Sequence, residues 1–469
     1  MHSLDHRLIQ IRPEARQLQL QKMEFYAFIH FTVNTFTGRE WGDGTENPRI
    51  FNPTAFDADQ WVQAIKAAGM TGLILTCKHH DGFCLWPSKY TGHSVAASPY
   101  RGDIVQAVSD ACRKGGIQFG IYLSPWDRNQ PLYGTGRAYD DYFVAQLTEL
   151  LTLYGDIFCV WFDGACGEGP NGKKQYYDWD RYYKTIRTLQ PNACIHVCGP
   201  DIRWCGNEAG DTRQSEWSVV PARTADTEKV ASSSQQADDA AFRQRTISAR
   251  DRDLGSRSIL ADEAELIWYP AEVNTSIRPG WFWHAEEDGQ VKPLEKLIDI
   301  YERSVGGNAT LLLNIPPTKD GLFHSNDVAR LQAFGAYLQE SYRHNLLADA
   351  ASLCASPAAV GHEIDHVRAE DDTCYIPATE DGTAQITVTW AEAQSIRRIV
   401  LQEQILLSQR VEKFAIDAWI GGTWTEIADG TVIGYKRIVV TDDILTQALR
   451  IRILDSRTAP TLKFIGIYG

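Results

Sequence analysis

The chain has 469 residues, 43% hydrophobic and 23% charged, the profile of a soluble globular protein with a large core and room for two or three domains. Its net charge of −14, with no long Lys/Arg run, leaves nucleic acid and anionic membrane surfaces without electrostatic support. The opening residues Met1-His2-Ser3-Leu4-Asp5-His6-Arg7 lack the apolar core of a signal peptide, and no apolar run reaches the roughly 18 residues that span a bilayer, so a soluble, cytoplasmic protein is expected.

From about residue 20 to 345, short β-branched or aromatic runs alternate with amphipathic stretches. Strands are predicted over 24–31, 72–77, 118–123, 157–162, 194–198, 265–269 and 309–315. Helices are predicted over 56–65, with an acidic first turn, and over 139–154, 179–189 and 294–305. Repeated β-then-α units need right-handed crossovers and a parallel sheet, and about 300 residues suits a (β/α)8 TIM barrel. The competing doubly wound sheet lacks a glycine-rich dinucleotide or phosphate fingerprint after any strand.

Most of these strands end in chemically rich tails: Lys78-His79-His80-Asp81, Ser124-Pro125-Trp126-Asp127, Asp163-Gly164, Gly199-Pro200-Asp201 and Ala271-Glu272-Val273-Asn274. Barrel enzymes build their sites at the C-terminal strand ends, so these tails favour the barrel. The polar stretch 222–258 is either a long loop overhanging that face or a flexible insertion. After Tyr342 the pattern changes to alternating strands at 385–390, 398–402, 414–419 and 449–453, which predicts an antiparallel β-sandwich. The domains expected are 1–345 for the barrel and 346–469 for the sandwich, giving an α/β fold with an all-β tail.

The ten cysteines are mostly single residues in apolar runs and imply no disulfide framework. Cys194 and Cys198, four apart in a predicted strand, should share one face of the core.

Asp163 ends an apolar strand and is followed by Gly164, which places its carboxylate at the barrel mouth; capping the next helix is the alternative role. A glycosidase needs a second carboxyl across the scissile bond, and Glu208, Glu216 and Glu272 are candidates. Glu272 could instead orient a neighbouring His or Arg. His79 and His80, adjacent in a strand, should point to opposite faces, which argues against a shared metal and for hydrogen bonds to sugar hydroxyls. Of Trp41, Trp126, Trp281 and Trp283, two are expected to line the pocket. No metal and no cofactor are expected.

The strings Phe28-Ile29-His30-Phe31, Thr76-Cys77-Lys78-His79-His80-Asp81-Gly82-Phe83, Tyr122-Leu123-Ser124-Pro125 and Val160-Trp161-Phe162-Asp163-Gly164 resemble family 29 glycoside hydrolases, the α-L-fucosidases. Residues 167–174 and 203–210 are similar to the branch that prefers α-1,3- and α-1,4-linked fucose on Lewis-type glycans and acts poorly on aryl fucosides. The tail resembles the discoidin-like, carbohydrate-binding-module sandwich often appended to it. The resemblance implies a retaining mechanism with Asp163 as nucleophile and Glu208 as acid/base, Glu216 being the position used by the broader-specificity branch. It implies sugar contacts from His30, Glu40, Trp41, His79, His80, Tyr122, Trp126, Arg203 and Trp281, and a fucosylated oligosaccharide as the partner. A non-catalytic carbohydrate-binding protein on the same fold is the alternative.

Overall fold

The computed structural model describes residues 3–247, 253–379 and 381–469. Ten strands precede the C-terminal sheet: β1 (Phe25–Ile29), β2 (Gly72–Lys78), β3 (Gln118–Leu123), β4 (Cys159–Phe162), β5 (Cys194–Val197), β6 (Arg203–Trp204), β7 (Val219–Pro221), β8 (Leu266–Trp268), β9 (Ala271–Ser276) and β10 (Ala309–Asn314). Eight of them form one sheet in the order β5-β4-β3-β2-β1-β10-β9-β6, and every pairing along it is parallel. The two ends of that sheet approach each other through a parallel bridge from His196 to Ile202. A nearly closed barrel results, and the open doubly wound alternative falls because the outermost strands are brought together.

Local chemistry explains the elements. β2, β9 and β10 are buried along their whole length, as strands covered on both sides must be. The helix Ala58–Ala67 starts where the Asp57 side chain accepts from the amides of Asp59 and Gln60, and it buries Trp61, Val62, Ala64 and Ile65 as one stripe. Helix Ile104–Gly115 is capped in the same way by Asp103 and stops at left-handed Gly116. Helices Arg137–Leu153, Trp179–Leu189, Leu294–Ser304 and Ser325–Ser341 complete the outer layer.

Three expectations change. The run at 265–269 forms β8, which pairs antiparallel with β7 outside the barrel; the barrel strand is β9, whose polar residues Glu272, Asn274 and Thr275 are buried. Polar side chains with partners inside the barrel hide that strand from an apolar-run search. The Gly199-Pro200-Asp201 tail turns away from the working face, because Val197 adopts a φ of 64° and Asp201 takes the amide of Ile195 together with Arg16 and Arg187. No helix lies between β5 and β6. Ending the strand at Val197 also separates Cys194, which packs beside Tyr26 and Phe28, from Cys198 in the main core.

The tail is an antiparallel sheet of β11 (Ser352–Ala355), β12 (Ala384–Glu403), β13 (Val411–Ile420), β14 (Thr423–Gly430), β15 (Arg437–Ser456) and β16 (Leu462–Tyr468), ordered β11-β12-β15-β13-β14 with β16 also on β12. The predicted runs at 385–390 and 398–402 are one 20-residue strand carrying register shifts between Thr389 and Gln394 and again by Arg398. The sheet is joined to the barrel by the buried Arg398–Glu302 pair at 2.5 Å. Asn308 adds a second tie, accepting from the Tyr435 amide and donating to the Glu216 carbonyl.

Candidate active site

A cavity opens at the C-terminal ends of the barrel strands, with about 530 Å³ of unfilled space including its open mouth. Asp163 and Glu208 both line it. Asp163 follows β4, and its side chain is 22% exposed, so it is not sealed into a helix cap. One carboxylate oxygen accepts from the Ala165 amide at 2.8 Å and the other from the Tyr122 hydroxyl at 2.9 Å. Burial still holds its pKa above the usual carboxylate value.

Glu208 projects from a loop shaped by Asn207, whose side-chain oxygen accepts from the amides of Ala209 and Asp211. Among the described residues its own carboxyl receives one hydrogen bond, from the Trp281 indole at 2.9 Å. Burial is the largest influence on it; the Trp281 bond opposes and the nearby Asp163 charge adds, leaving its pKa at about 7. A carboxyl of this kind is protonated over much of the neutral range and can act as a general acid.

The histidines form the wall. His79 and His80 both line the cavity, with ring centroids 4.1 Å apart. Strand alternation does not separate them, because β2 ends at Lys78 and both lie in the turn that follows. His80 Nδ1 is 2.7 Å from the Ser124 hydroxyl, and His30 Nδ1 is 2.9 Å from the Asn314 side-chain oxygen. Burial pushes the pKa of His30 down to about 4, that of His80 to about 3, and that of His79 well below its ordinary value, so all three are neutral imidazoles. Among the described residues no group of three or more His, Cys, Asp or Glu is placed to hold a metal ion.

Aromatic residues supply the remaining surface. Trp41 and Trp281 line the cavity, whereas Trp126 packs behind, tilted against His80 at 5.1 Å and edge-to-face with Trp41 at 5.4 Å. Trp283 points to Asp288. Trp161, Trp204 and Asn274 also line the cavity without having been singled out from the sequence. Trp161 had a usable signal, since it lies two residues before Asp163 and period-two alternation puts both on the inner face. Trp204 had none, because β6 is only two residues long; Asn274 had one, as the last residue of the Ala271-Glu272-Val273-Asn274 tail.

Several candidates stand behind the wall rather than on it. Tyr122 is not among the lining residues; its hydroxyl bonds Asp163 and its ring stacks on those of His79 and Trp161. The Glu40 carboxylate accepts from the amides of Trp281 and Phe282 and from His284, bonds that outweigh burial and lower its pKa; its visible task is to hold Trp281. Arg203 donates to Glu216 at 3.0 Å and to backbone oxygens and is not among the lining residues. Glu216 is 0% exposed and is held by Arg203 and Arg213, each at 3.0 Å. Glu272 is equally buried inside the barrel, accepting from Tyr26, Trp161 and His196, so of its two sequence-level roles it plays the orienting one.

Within the 222–258 stretch, residues 248–252 lie outside the described set. The described part returns to the site: after the helix Thr227–Ser233, Ser234 and Gln235 line the cavity. Gly164 allows this approach, because a Cβ there would lie 2.1 Å from the Ser234 hydroxyl. The glycine after Asp163 is therefore a packing requirement of the overhanging segment.

The pattern characteristic of alpha-L-fucosidases matches residues 15–342. The chain belongs to the α-L-fucosidase family. It is a glycoside hydrolase of family 29, and its α-L-fucosidase activity follows from that membership. Alpha-L-fucosidase 1 of Arabidopsis thaliana is 36% identical over 97% of this chain and 87% of that protein. Among solved structures, a glycoside hydrolase 29 family member from an unknown rumen bacterium is 37% identical with a TM-score of 0.79, covering 98% of this chain and 77% of the other. A Ruminococcus gnavus GH29 fucosidase in complex with fucose is 29% identical with a TM-score of 0.83, covering 98% and 95%. Among the described residues of this family member, no helix is long and apolar enough to cross a membrane.

Proposed function

We propose that this fucosidase acts with retention of configuration and releases α-1,3- and α-1,4-linked fucose from Lewis-type oligosaccharides or glycoconjugates. The observation that carries the reading is the pair of carboxyls lining one cavity, Asp163 stabilised by two hydrogen-bond donors and Glu208 biased toward its protonated form. Asp163 attacks the anomeric carbon to give a covalent fucosyl-enzyme while Glu208 protonates the departing oxygen. Glu208 then takes a proton from the incoming water, and the configuration is restored to that of the substrate. A separation of about 5 to 5.5 Å between the reacting carboxyls accompanies this chemistry.

His30, His79 and His80 meet the sugar hydroxyls, Trp41 and Trp281 its apolar faces, and Tyr122 steadies the nucleophile. Glu40, Trp126 and Arg203 act behind them. The fucose held by the Ruminococcus gnavus relative supports a fucosyl ligand here. The linkage preference rests on the resemblance of residues 167–174 and 203–210 to the 1,3/1,4 branch. Residues 1–345 form the catalytic unit in this reading and 346–469 the appended sheet.

The test is proton NMR of the first fucose released, together with the Asp163→Ala variant. Retention gives the α anomer first, and Asp163→Ala loses release from a Lewis trisaccharide; initial β-fucose, or a variant with near wild-type release, refutes the assignment. Comparison of Lewis trisaccharides with an α-1,2-fucosylated lactose and an aryl fucoside tests the linkage, equal rates on all three being the adverse result.

A further inference from the structure

We propose that Ser124 is a positioning residue that holds His80 in the tautomer protonated on Nδ1, so that His80 Nε2 presents a bare lone pair beside Asp163 and accepts the proton of a sugar hydroxyl. The inference deepens the fucosidase reading and rests on it for the identity of the sugar.

The argument is a count of protons. The Ser124 hydroxyl is fully buried and donates its only proton to the Trp126 carbonyl at 2.7 Å. With that proton committed, the oxygen has only lone pairs to offer His80 Nδ1, which lies 2.7 Å away. His80 Nδ1 is therefore the donor. The ring is neutral, since burial pushes its pKa to about 3, and a neutral imidazole with its proton on Nδ1 has none on Nε2.

The geometry around Nε2 agrees. It lies 3.7 Å from one carboxylate oxygen of Asp163, beyond direct hydrogen-bond reach, and that oxygen already accepts from Tyr122. Two acceptors that face each other at this distance repel unless a donor comes between or beside them. His80 lines the cavity together with Asp163, so a hydroxyl of a sugar bound for attack by Asp163 is placed to supply that donor.

His30 is wired on the same plan. Its Nδ1 faces the Asn314 side-chain oxygen at 2.9 Å, while both Asn314 amide protons are used on the Ser276 hydroxyl and the Trp281 carbonyl. Ser276 in turn donates to the Gly280 carbonyl. Each relay ends on a backbone carbonyl, which cannot reverse its role. Two histidines of one cavity are thus turned into acceptors by residues outside the lining, a selectivity for hydroxyl donors that ring contact alone does not provide.

In Ser124→Ala the Nδ1 proton loses its acceptor, and the ring is free to carry its proton on Nε2 instead. That removes the acceptor for the sugar hydroxyl beside Asp163. The experiment is nitrogen-15 NMR of the His80 ring in the resting protein, joined to kinetics on fucosides and their monodeoxy analogues. Wild type shows a protonated Nδ1 and an unprotonated Nε2. Ser124→Ala lowers kcat/KM roughly 10- to 100-fold on the full substrate, the scale of one hydrogen bond near a charged group; the gap closes for the one deoxy analogue that lacks the partnered hydroxyl, and Ser124→Thr restores the rate.

A protonated Nε2 in the wild-type resting protein overturns the proposal, and so does a gap that is equal for every deoxy analogue. The wild-type spectrum decides the matter even where the variants fail to fold. Failure of the proposed mechanism is distinguishable, since loss of the nucleophile assignment shows as unimpaired fucose release by Asp163→Ala, whatever the His80 spectrum.

Discussion

Glu208 and Glu216 lie on one short segment of the chain, yet their surroundings turn the same side chain into two different devices. Burial pushes both carboxyls toward the neutral form. At Glu208 burial is opposed by the Trp281 indole N–H and, more weakly, by the Arg243 charge, while the Asp163 and Glu40 charges reinforce it, so the pKa rises to about 7. At Glu216 two guanidinium groups at 3.0 Å overcome it, so the pKa falls. Depth of burial does not distinguish an acid from a structural anion; the sign of the nearest charge does.

The largest effects come from deleting each carboxylate. Glu208→Gln should lower kcat on natural glycosides by about 10²- to 10⁴-fold, the usual worth of a general acid, with the fold intact. Glu216→Gln should leave the folded enzyme turning over but destabilise it by about 3 to 5 kcal/mol, because Arg203 and Arg213 lose their buried partner. Steady-state kinetics and urea unfolding on the two variants give the contrast. An inactive but fully stable Glu216→Gln enzyme would reverse the assignment.

The pH dependence of stability sharpens the comparison, because the two groups act in opposite directions. Glu216 has a lowered folded pKa, so its contribution is present above the ordinary value of 4.5 and is lost as pH falls through the folded value. Glu208 has a raised one, so its contribution is full below 4.5 and is lost as pH rises through about 7. In unfolding experiments the Glu216→Gln deficit should be full at pH 8 and shrink in acid. Glu208→Gln should be more stable than wild type at pH 8 and show no gain at pH 4.

The smallest effect concerns Trp281, whose indole bond is the main influence lowering the Glu208 pKa. Trp281→Phe keeps an aromatic surface but removes the donor. The alkaline limb of kcat/KM, set by loss of the Glu208 proton near 7, should therefore move to higher pH. An unmoved limb would mean that another group carries the acid role.

Much of the fold was legible because periodicity is a local property. Helix Trp179–Leu189 and strand Gln118–Leu123 occur where the pattern predicts them, and the shift to alternating strands after Tyr342 marks the antiparallel sheet. β9 shows no apolar run because it carries Glu272, whose carboxylate is satisfied across the barrel by bonds from Tyr26 on β1, Trp161 on β4 and His196 on β5. A strand whose polar groups find distant partners carries no apolar signature. His79 and His80 escape the alternation of β2 because both lie beyond its last residue, Lys78.

By itself the sequence determined the α/β class, the family, the carboxylate Asp163 at a strand end and the short set of glutamates from which a partner must come. Residue type and spacing suffice for these, because strand ends, turns and amphipathic faces are set by neighbours along the chain. Only the tertiary structure decided that Glu208 faces the cavity, that Glu216 is locked between arginines, that Arg203 serves Glu216, and that Ser234 and Gln235 return over Gly164. Desolvation and charge pairing depend on residues brought together from distant parts of the chain, so a carboxyl's protonation, and with it its role, is a property of the assembled fold.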